Sequence, residues 1–483
     1  MALGAAILGF RLGWQDYWWD EHVTLMFTRS GWHELMVDYW GLDTHRPVYY
    51  GLQKAWNDLF GTGVANVRAL PVVVTLLLVP LFYLTARRIR HGPFAAITVI
   101  LLVTAPMFVD QGREIRMYCL LNLALSVALL LAVTLATDAR QGARQTRGRA
   151  LALWAGFAVS LAAAFYAQAV AAFVALLFGF WVLVAVGLGL LPLRFLLQAL
   201  AACGLYIILI IPALLPFLGH FGGTLGDSFW VPEPTASYVY GQTTAAWPYP
   251  KWTKPVIGIL LLWGLWSAGR RAPQTGLLLA MLIFGLPLMV YLVSFAKPIY
   301  MTRVIAWAGI VSVLPLAYGL AALGPVLRWG GLAFVAAAQV FWLSGFYPSA
   351  PERSPFATFA EPLADFDPRA DIFVLGTQLR EPPLRWYYPH LFEGTAYAFL
   401  SGDARQNVID PAFHSRFVMR SEAGTLEMDG DRLFVFRQTE FEEPVPEEDS
   451  VTEALETLTE GLKPDRTVIE GPYRLDIYGL GRD

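Results

Sequence analysis

The sequence predicts a polytopic α-helical membrane protein of about eleven transmembrane helices with a small α/β domain outside the membrane. Three observations predict it. Of 483 residues, 56% are hydrophobic and 15% charged, where a soluble domain carries roughly 25% charged residues. Long apolar runs recur from the N-terminus to about residue 347. Beyond Pro348 those runs stop, charge rises, and short strand-like segments take over. The mean hydropathy of +0.49 agrees.

The first apolar run, Met1 to Phe10, is short for a bilayer, which needs roughly 20 residues. Either Arg11 to Trp14 complete a first helix with local thinning, or the true start lies upstream. It lacks the basic n-region and A-x-A site of a cleavable signal peptide. Further spans are expected near 64–86, 93–109, 115–137, 150–168, 170–191, 195–218, 254–269, 275–294, 304–323 and 329–347. Almost nothing polar separates 150–168 from 170–191 beyond Tyr166 and Gln168.

Short loops rich in arginine alternate with long mixed loops. Arg87, Arg88 and Arg90 form one cluster, and Arg140, Arg144, Arg147 and Arg149 another. Arg194, the pair Arg270 and Arg271, and Arg328 complete the set, with Asp138 the sole acid among them. The positive-inside rule places that face in the cytoplasm. The N-terminus is then cytoplasmic, the loops 14–63 and 219–253 lie outside, and so does everything after Tyr347. An integral membrane location is expected.

The tail reads as an extracytoplasmic α/β domain, residues 349–483, following a transmembrane domain over 1–348. DIFVLGT (371–377), DRLFVFRQT (431–439) and YRLDIYGL (473–480) read as strands. PLRWYYPHLF reads as a helix or turn. An acidic loop then leads into an amphipathic helix in FEEPVPEEDSVTEALETLTEGL.

Several function classes drop out. A net charge of −3 offers no basic surface for nucleic acid. Cys119 and Cys203 both lie in apolar runs, against a disulfide framework or thiolate metal site. His22 and His33 lack metal-ligand spacing, and no Rossmann glycine fingerprint occurs.

Three polar constellations stand on the outer face. Asp20 and Glu21 occupy WWDEHVTLMF, where ionisable groups beside hydrocarbon are costly and mark function, or else are solvated loop acids. The same loop, 14–63, holds amphipathic pieces at 21–29 and 32–40, broken at Ser30-Gly31. A second helix begins in DTHRPVYYGLQKAWNDLF, with Thr44 or His45 at the N-cap, Pro47 just inside, and Tyr49, Tyr50, Trp56 and Phe60 suited to the headgroup level. Its free N–H groups beside His45 and Arg46 suit a phosphate. DQGREIRMY (110–118) opens a transmembrane helix, with Asp110, Glu114 and Tyr118 on one face at spacings of four and with Arg113 and Arg116. In SFAKPIYMTR, Lys297 and Arg303 either hold a lipid phosphate or anchor their helix at the headgroups.

The order WWDEHVT, DTHRPVYY, VRALP, DQGREIRMY, KPIYMTR resembles the GT-C glycosyltransferases, in the group of aminoarabinose transferases and protein O-mannosyltransferases. The resemblance covers nearly the whole chain, including DFDPRADIFVLGTQLREPPLRWYYPHLF in the tail. It implies a catalytic Asp20 with Glu21 beside it. His45, Arg46 and Pro47 stand at the family's H-P-P motif, and Gly112 through Tyr118 at its Q-E-A-R-x-Y motif. Arg46 replaces the usual first proline, and FYAQ (165–168) stands where many bacterial members have T-H-Y.

The resemblance implies an inverting sugar transfer from a polyprenyl-phosphate donor to a hydroxyl of a lipid or envelope glycan. Asp20 would be the general base and Glu21 an orienting group. His45, Arg46, Arg116, Lys297 and Arg303 would bind donor phosphate, with Asp110, Arg113, Glu114 and Tyr118 supporting. Partners are the donor, the acceptor and membrane lipids, and the location that the resemblance implies is a bacterial inner (plasma) membrane. No motif calls for a cofactor; a divalent metal stays open. Protein O-glycosylation is the alternative within the class. A transporter or flippase of lipid-linked anions is the alternative outside it, against which stands the absence of repeated halves.

Overall fold

The computed structural model describes residues 1–41, 45–90, 92–142, 146–223, 231–347, 355–377, 380–399, 416–418, 420–439 and 448–481. The chain divides into two compact units, one of Met1–Trp14 and Thr44–Ala350, the other of Gln15–Asp43 and Pro351–Asp483. The division differs from the boundary read in the sequence, which assigns all of 14–63 to the membrane domain. Residues 15–43 fold with the tail instead.

The first unit is helical. Among the described residues seven helices are long and apolar enough to cross a membrane, or eight if Phe94–Val103 and Pro106–Arg113, bent by 51°, form one span. The sequence reading counts three more. These are Ala2–Gly9 with 8 residues, Ala171–Gly187 with 17, and Lys254–Arg271, whose 18 residues include three cations. The break between 147–167 and 171–187 falls at Gln168, which is extended (φ −156°, ψ 130°).

Thr302–Ala322 is the central element, with 94% of its most apolar stretch buried, against 17% for Leu193–Gly219. A helix apolar on every side fits a bundle centre. Close approach to it needs a missing side chain: a Cβ at Gly309 would stand 2.5 Å from the Ala246 carbonyl oxygen. The 51° bend has a local cause. Ala105 precedes Pro106 and is extended (φ −64°, ψ 129°), as pre-proline residues prefer. Thr104 there donates to Gln339 Oε1 at 2.6 Å, and Gln339 donates to Tyr249 Oη at 3.2 Å, so the buried polar groups are satisfied.

The second unit is built on a six-stranded mixed sheet: β1 (Ile372–Leu375), β2 (Thr395–Phe399), β3 (Arg416–Val418), β4 (Arg432–Gln438), β5 (Arg466–Glu470) and β6 (Tyr473–Gly479). The order is β3-β2-β1-β4-β6-β5. β1 pairs parallel with β2 and β4, and β6 antiparallel with β4 and β5. All four residues of β1 are buried, as a central strand covered on both faces requires. Phe373 and Leu375 point into one core with Phe359, Leu384 and Leu391. Ile372 and Val374 point into another with Ala454 and Leu455 of helix Glu448–Leu458. Helix Glu381–Tyr387 covers the first face, and helix Trp19–Arg29 packs against it.

Candidate functional site: an acidic helix and a set of buried cations

Asp20 and Glu21 lie in the first turn of helix Trp19–Arg29, and both are buried. Carboxylates belong there because the first turn carries free N–H groups and the positive end of the helix dipole. Glu21 is partly committed to capping, since its carboxylate accepts from the Trp18 backbone N–H at 3.3 Å. Asp20 accepts the Thr24 hydroxyl through its carbonyl oxygen, at 3.2 Å.

The helix is held at both ends within its own unit. Tyr387 donates its hydroxyl to the Asp16 carboxylate. Tyr17 meets Trp386 edge to face at 5.7 Å, and His22 meets Tyr387 at 5.6 Å. Arg29 donates to the carbonyl oxygens of Arg385 and Trp386. Trp386 and Tyr387 thus pack on the acidic segment, and Tyr388 is core. Burial pushes the Tyr388 hydroxyl pKa up to about 12 while it donates to Phe356 O at 2.6 Å.

In the first unit, helix Val48–Phe60 begins later than read: Pro47 is the N-cap, two residues beyond His45, and Thr44 lies outside the described residues. Arg46 is buried just before it. Tyr49 and Tyr50 are also buried rather than spread at a headgroup level, which corrects the interfacial reading for this half of the helix. The cause is a polar ladder. Tyr49 donates to Gln53 Oε1 at 3.0 Å, and Gln53 donates to Asn57 Oδ1 at 2.9 Å and to Val67 O at 3.1 Å. Phe60 and Trp56 lie at the less buried end.

DQGREIRMY does not open a helix. Asp110 to Arg113 end helix Pro106–Arg113, Glu114 is extended (ψ 131°), and Tyr118 opens helix Tyr118–Arg140. The spacings of four that would align Asp110, Glu114 and Tyr118 therefore do not apply. In the bend the Arg116 N–H donates to Glu114 O at 2.7 Å, and the Arg116 side chain is buried. Gln111 and Asn122 bridge the bend at 2.8 Å. Arg113 faces the first helix: its guanidinium donates to the carbonyl oxygens of Leu8, Phe10 and Arg11 at 3.1, 2.5 and 3.1 Å and lies 4.9 Å from the Tyr347 ring centroid. It closes the C-terminal end of helix Ala2–Gly9, where carbonyl groups lack helical partners.

Lys297 lies in the loop before helix Thr302–Val311, and Arg303 in that helix's first turn. The loop is braced by side chains that sequence reasoning missed. Gln242 accepts from the Thr302 N–H at 2.8 Å, and Thr243 and Tyr300 share a hydrogen bond at 2.6 Å. Both braces come from helix Ala236–Ala246 of a long loop, and no motif flagged them. Burial raises the Tyr238 pKa while the Arg303 charge opposes it, so Arg303 stands beside that helix. Helix Thr302–Val311 also packs on helix Pro106–Arg113, which in turn packs on Val64–Leu76, the neighbour of Val48–Phe60. The helix bearing Arg303, the helix that ends just before Arg116 and the helix that begins just after Arg46 are thus linked in series through Val64–Leu76. Among the described residues no group of three or more His, Cys, Asp or Glu is placed to hold a metal ion.

Residues 32–222 match the model of the dolichyl-phosphate-mannose-protein mannosyltransferase family. No curated protein matches the sequence. The fold is that of ArnT from Cupriavidus metallidurans. The apo structure aligns with a TM-score of 0.69 at 14% identity, over 99% of this chain and 96% of that one. A second structure of that protein, bound to undecaprenyl phosphate, aligns at 0.67 and 15% over the same shares. The oligosaccharyltransferase of Archaeoglobus fulgidus, tethered with an acceptor peptide, aligns at 0.53 and 12% over 94% of this chain and 70% of its own. This chain resembles the GT-C glycosyltransferases of the aminoarabinose transferase and protein O-mannosyltransferase group, and it shares their membrane-helix architecture.

Proposed function

We propose that the chain is a membrane glycosyltransferase that moves a sugar from a polyprenyl-phosphate donor to a hydroxyl of a lipid or envelope glycan. The observation that carries this reading is the agreement with ArnT along 99% of the chain, one structure of which holds undecaprenyl phosphate.

In this reading the acceptor oxygen attacks the anomeric carbon from the face opposite the phosphate. The C–O bond to the acceptor forms as the bond to the phosphate oxygen breaks, with inversion. The acceptor proton passes to Asp20, a role that needs a carboxylate in hydrogen-bond reach. Glu21, tied to the Trp18 N–H, orients. The departing phosphate gains charge, and cations fixed before the reaction stabilise it without reorganising. His45, Arg46, Arg116, Lys297 and Arg303 are proposed for that role, with Asp110, Glu114 and Tyr118 supporting and Arg113 holding the bend. We take helices Ala2–Gly9, Ala171–Gly187 and Lys254–Arg271 as spans too, which makes eleven. The arginine-rich loops then lie in the cytoplasm, and the chemistry and the second unit lie outside it, in a bacterial inner membrane.

The mannosyltransferase family match over 32–222 favours a second reading within the class, transfer to a protein hydroxyl. One experiment serves both. The purified protein, reconstituted in liposomes with a polyprenyl-phosphate sugar, should release polyprenyl phosphate in step with acceptor glycosylation. Asp20→Asn should cut turnover by about 100- to 10,000-fold without unfolding the chain. Near wild-type turnover in that variant overturns the assignment of the base. Comparing envelope glycolipids with secreted proteins by mass spectrometry, with and without the gene, decides the acceptor: a sugar-sized mass lost from glycolipid favours the first reading, and lost from protein the second.

A further inference from the structure

At the arginine-rich end of the first unit, helices Tyr118–Arg140, Arg147–Ala167 and Leu193–Gly223 enclose a cavity of about 720 Å³. Pockets that take small molecules fall at about 300–1,000 Å³. The walls are apolar, including Leu135, Leu151 and Leu205, and the mouth carries Arg147 and Arg194. Trp154 lies in the wall and is fixed there: its indole donates to Gln198 Oε1 at 3.3 Å and its ring meets Phe195 at 4.9 Å.

The charge balance of this mouth is uneven. Its one acid, Asp138, is buried and already neutralised by arginines other than the two at the mouth. Arg149 Nη2 lies 3.1 Å from one carboxylate oxygen, and Arg88 Nη1 lies 3.7 Å from the other. Arg140 is turned away to Gln274, at 2.7 Å. Among the described residues no acid pairs with Arg147 or Arg194, so the cavity keeps two positive charges over an apolar interior. Leu151, Leu197 and Leu200 beside it are 70%, 62% and 57% exposed, which suits acyl chains as surroundings and not water.

We propose that this cavity binds one anionic phospholipid, its phosphodiester between Arg147 and Arg194 and an acyl chain along Leu135, Leu151 and Leu205. Two features separate the site from ordinary positive-inside arginines: concavity between three helices and a cationic mouth whose one acid, Asp138, is already paired with Arg149 and Arg88. Basic pockets between membrane helices at this face are where anionic headgroups settle. An ammonium-bearing zwitterion gains less, because its own cation opposes the arginines. The site lies at the other end of helix Tyr118–Arg140 from Arg116 and does not depend on the catalytic reading.

The test is binding of short-chain phosphatidylglycerol to the full chain in nonionic detergent, read by native mass spectrometry. Phosphatidylcholine of the same chains and glycerol phosphate serve as comparisons. Phosphatidylglycerol should bind more tightly than either. Arg147→Gln with Arg194→Gln should weaken it by about fivefold per arginine, about 25-fold together. Arg270→Gln with Arg271→Gln, at the same face but outside the cavity, should leave it unchanged. Ala201→Phe keeps both arginines and fills the wall, so it should weaken the lipid without touching headgroup charge. Equal affinity in the double Arg147/Arg194 variant, equal loss in the Arg270/Arg271 variant, or glycerol phosphate binding as tightly as the lipid would each overturn the proposal.

Discussion

The Arg29 guanidinium lies over the Trp386 ring, 4.3 Å from its centroid, and donates to the Arg385 and Trp386 carbonyl oxygens at 2.9 Å each. Two segments separated by more than 350 residues are joined there. The consequence concerns Asp20, which stands at the opposite end of the same helix. With Tyr387 bonded to Asp16 just before that helix, the acidic turn is held from both sides by one stretch of the tail, Arg385 to Tyr387. The tail's position in the chain does not suggest this role; its contacts do.

Arg29→Ala should therefore loosen the second unit by on the order of 1–2 kcal/mol, the sum of a cation–π contact and charged hydrogen bonds discounted for partial exposure. Trp386→Ala should cost a similar amount, and the double variant less than the sum, because both remove one contact. Thermal unfolding of the purified variants measures this. Strict additivity would show that the stacking contributes nothing in solution.

Arg113 should behave as a structural residue. Arg113→Gln leaves the Leu8, Phe10 and Arg11 carbonyl groups short of donors and removes the contact with Tyr347. The expected loss is about 1.5–3 kcal/mol, the range for losing hydrogen bonds to a charged group. Lysine should rescue poorly, since a point charge cannot reach three carbonyls as a planar fork does. Measured expression and melting temperature check it. A stable Arg113→Gln protein that has lost only turnover would move this residue into the chemistry.

The helices were legible because apolar runs of this length have few alternatives. The strands Ile372–Leu375, Arg432–Gln438 and Tyr473–Gly479 were legible through their dense aliphatic and aromatic residues. TAYAF (395–399) and RTVIE (466–470) were not, since one is small-residue rich and the other is a largely exposed edge whose partner defines it. The bend at Glu114 was invisible for a different reason. It is fixed by tertiary contact: a Cβ at Gly112 would stand 2.8 Å from Thr75 Cγ2, and Arg113 is drawn to the first helix. For the same reason the attachment of residues 15–43 to the tail could not be read, because no local pattern encodes Arg29 meeting Trp386.

Arg303→Gln should weaken donor binding more than acceptor binding. Arg303 opens a helix whose preceding loop is braced by Gln242 and Thr243, so its position survives the loss of its charge. Titration with a polyprenyl-phosphate sugar should show a donor affinity lower by about tenfold, the scale of one charged hydrogen bond lost, with acceptor KM nearly unchanged. An unaltered donor affinity would make this loop a helix anchor and shift the phosphate to Arg116.

The second unit should lie on the side of the membrane opposite the arginine-rich loops. With Ala2–Gly9, Ala171–Gly187 and Lys254–Arg271 counted as spans, the number is odd, and the two ends of the bundle fall on opposite sides. The short loops with Arg87 to Arg90, Arg140 to Arg149, Arg270 and Arg271, and Arg328 then share one face, as the positive-inside rule asks. Dropping Ala171–Gly187 or Lys254–Arg271 would scatter those arginines over both faces, whereas dropping Ala2–Gly9 would move only the N-terminus. A reporter that is active only in the cytoplasm, fused after Asp483, should be silent, and one active only outside should work. The same cytoplasmic reporter placed after Arg271 should be active. Activity after Asp483 together with silence after Arg271 would mean one span fewer before residue 271. The span to discard would then be Ala171–Gly187, which has 17 residues and is separated from its predecessor only by the extended Gln168.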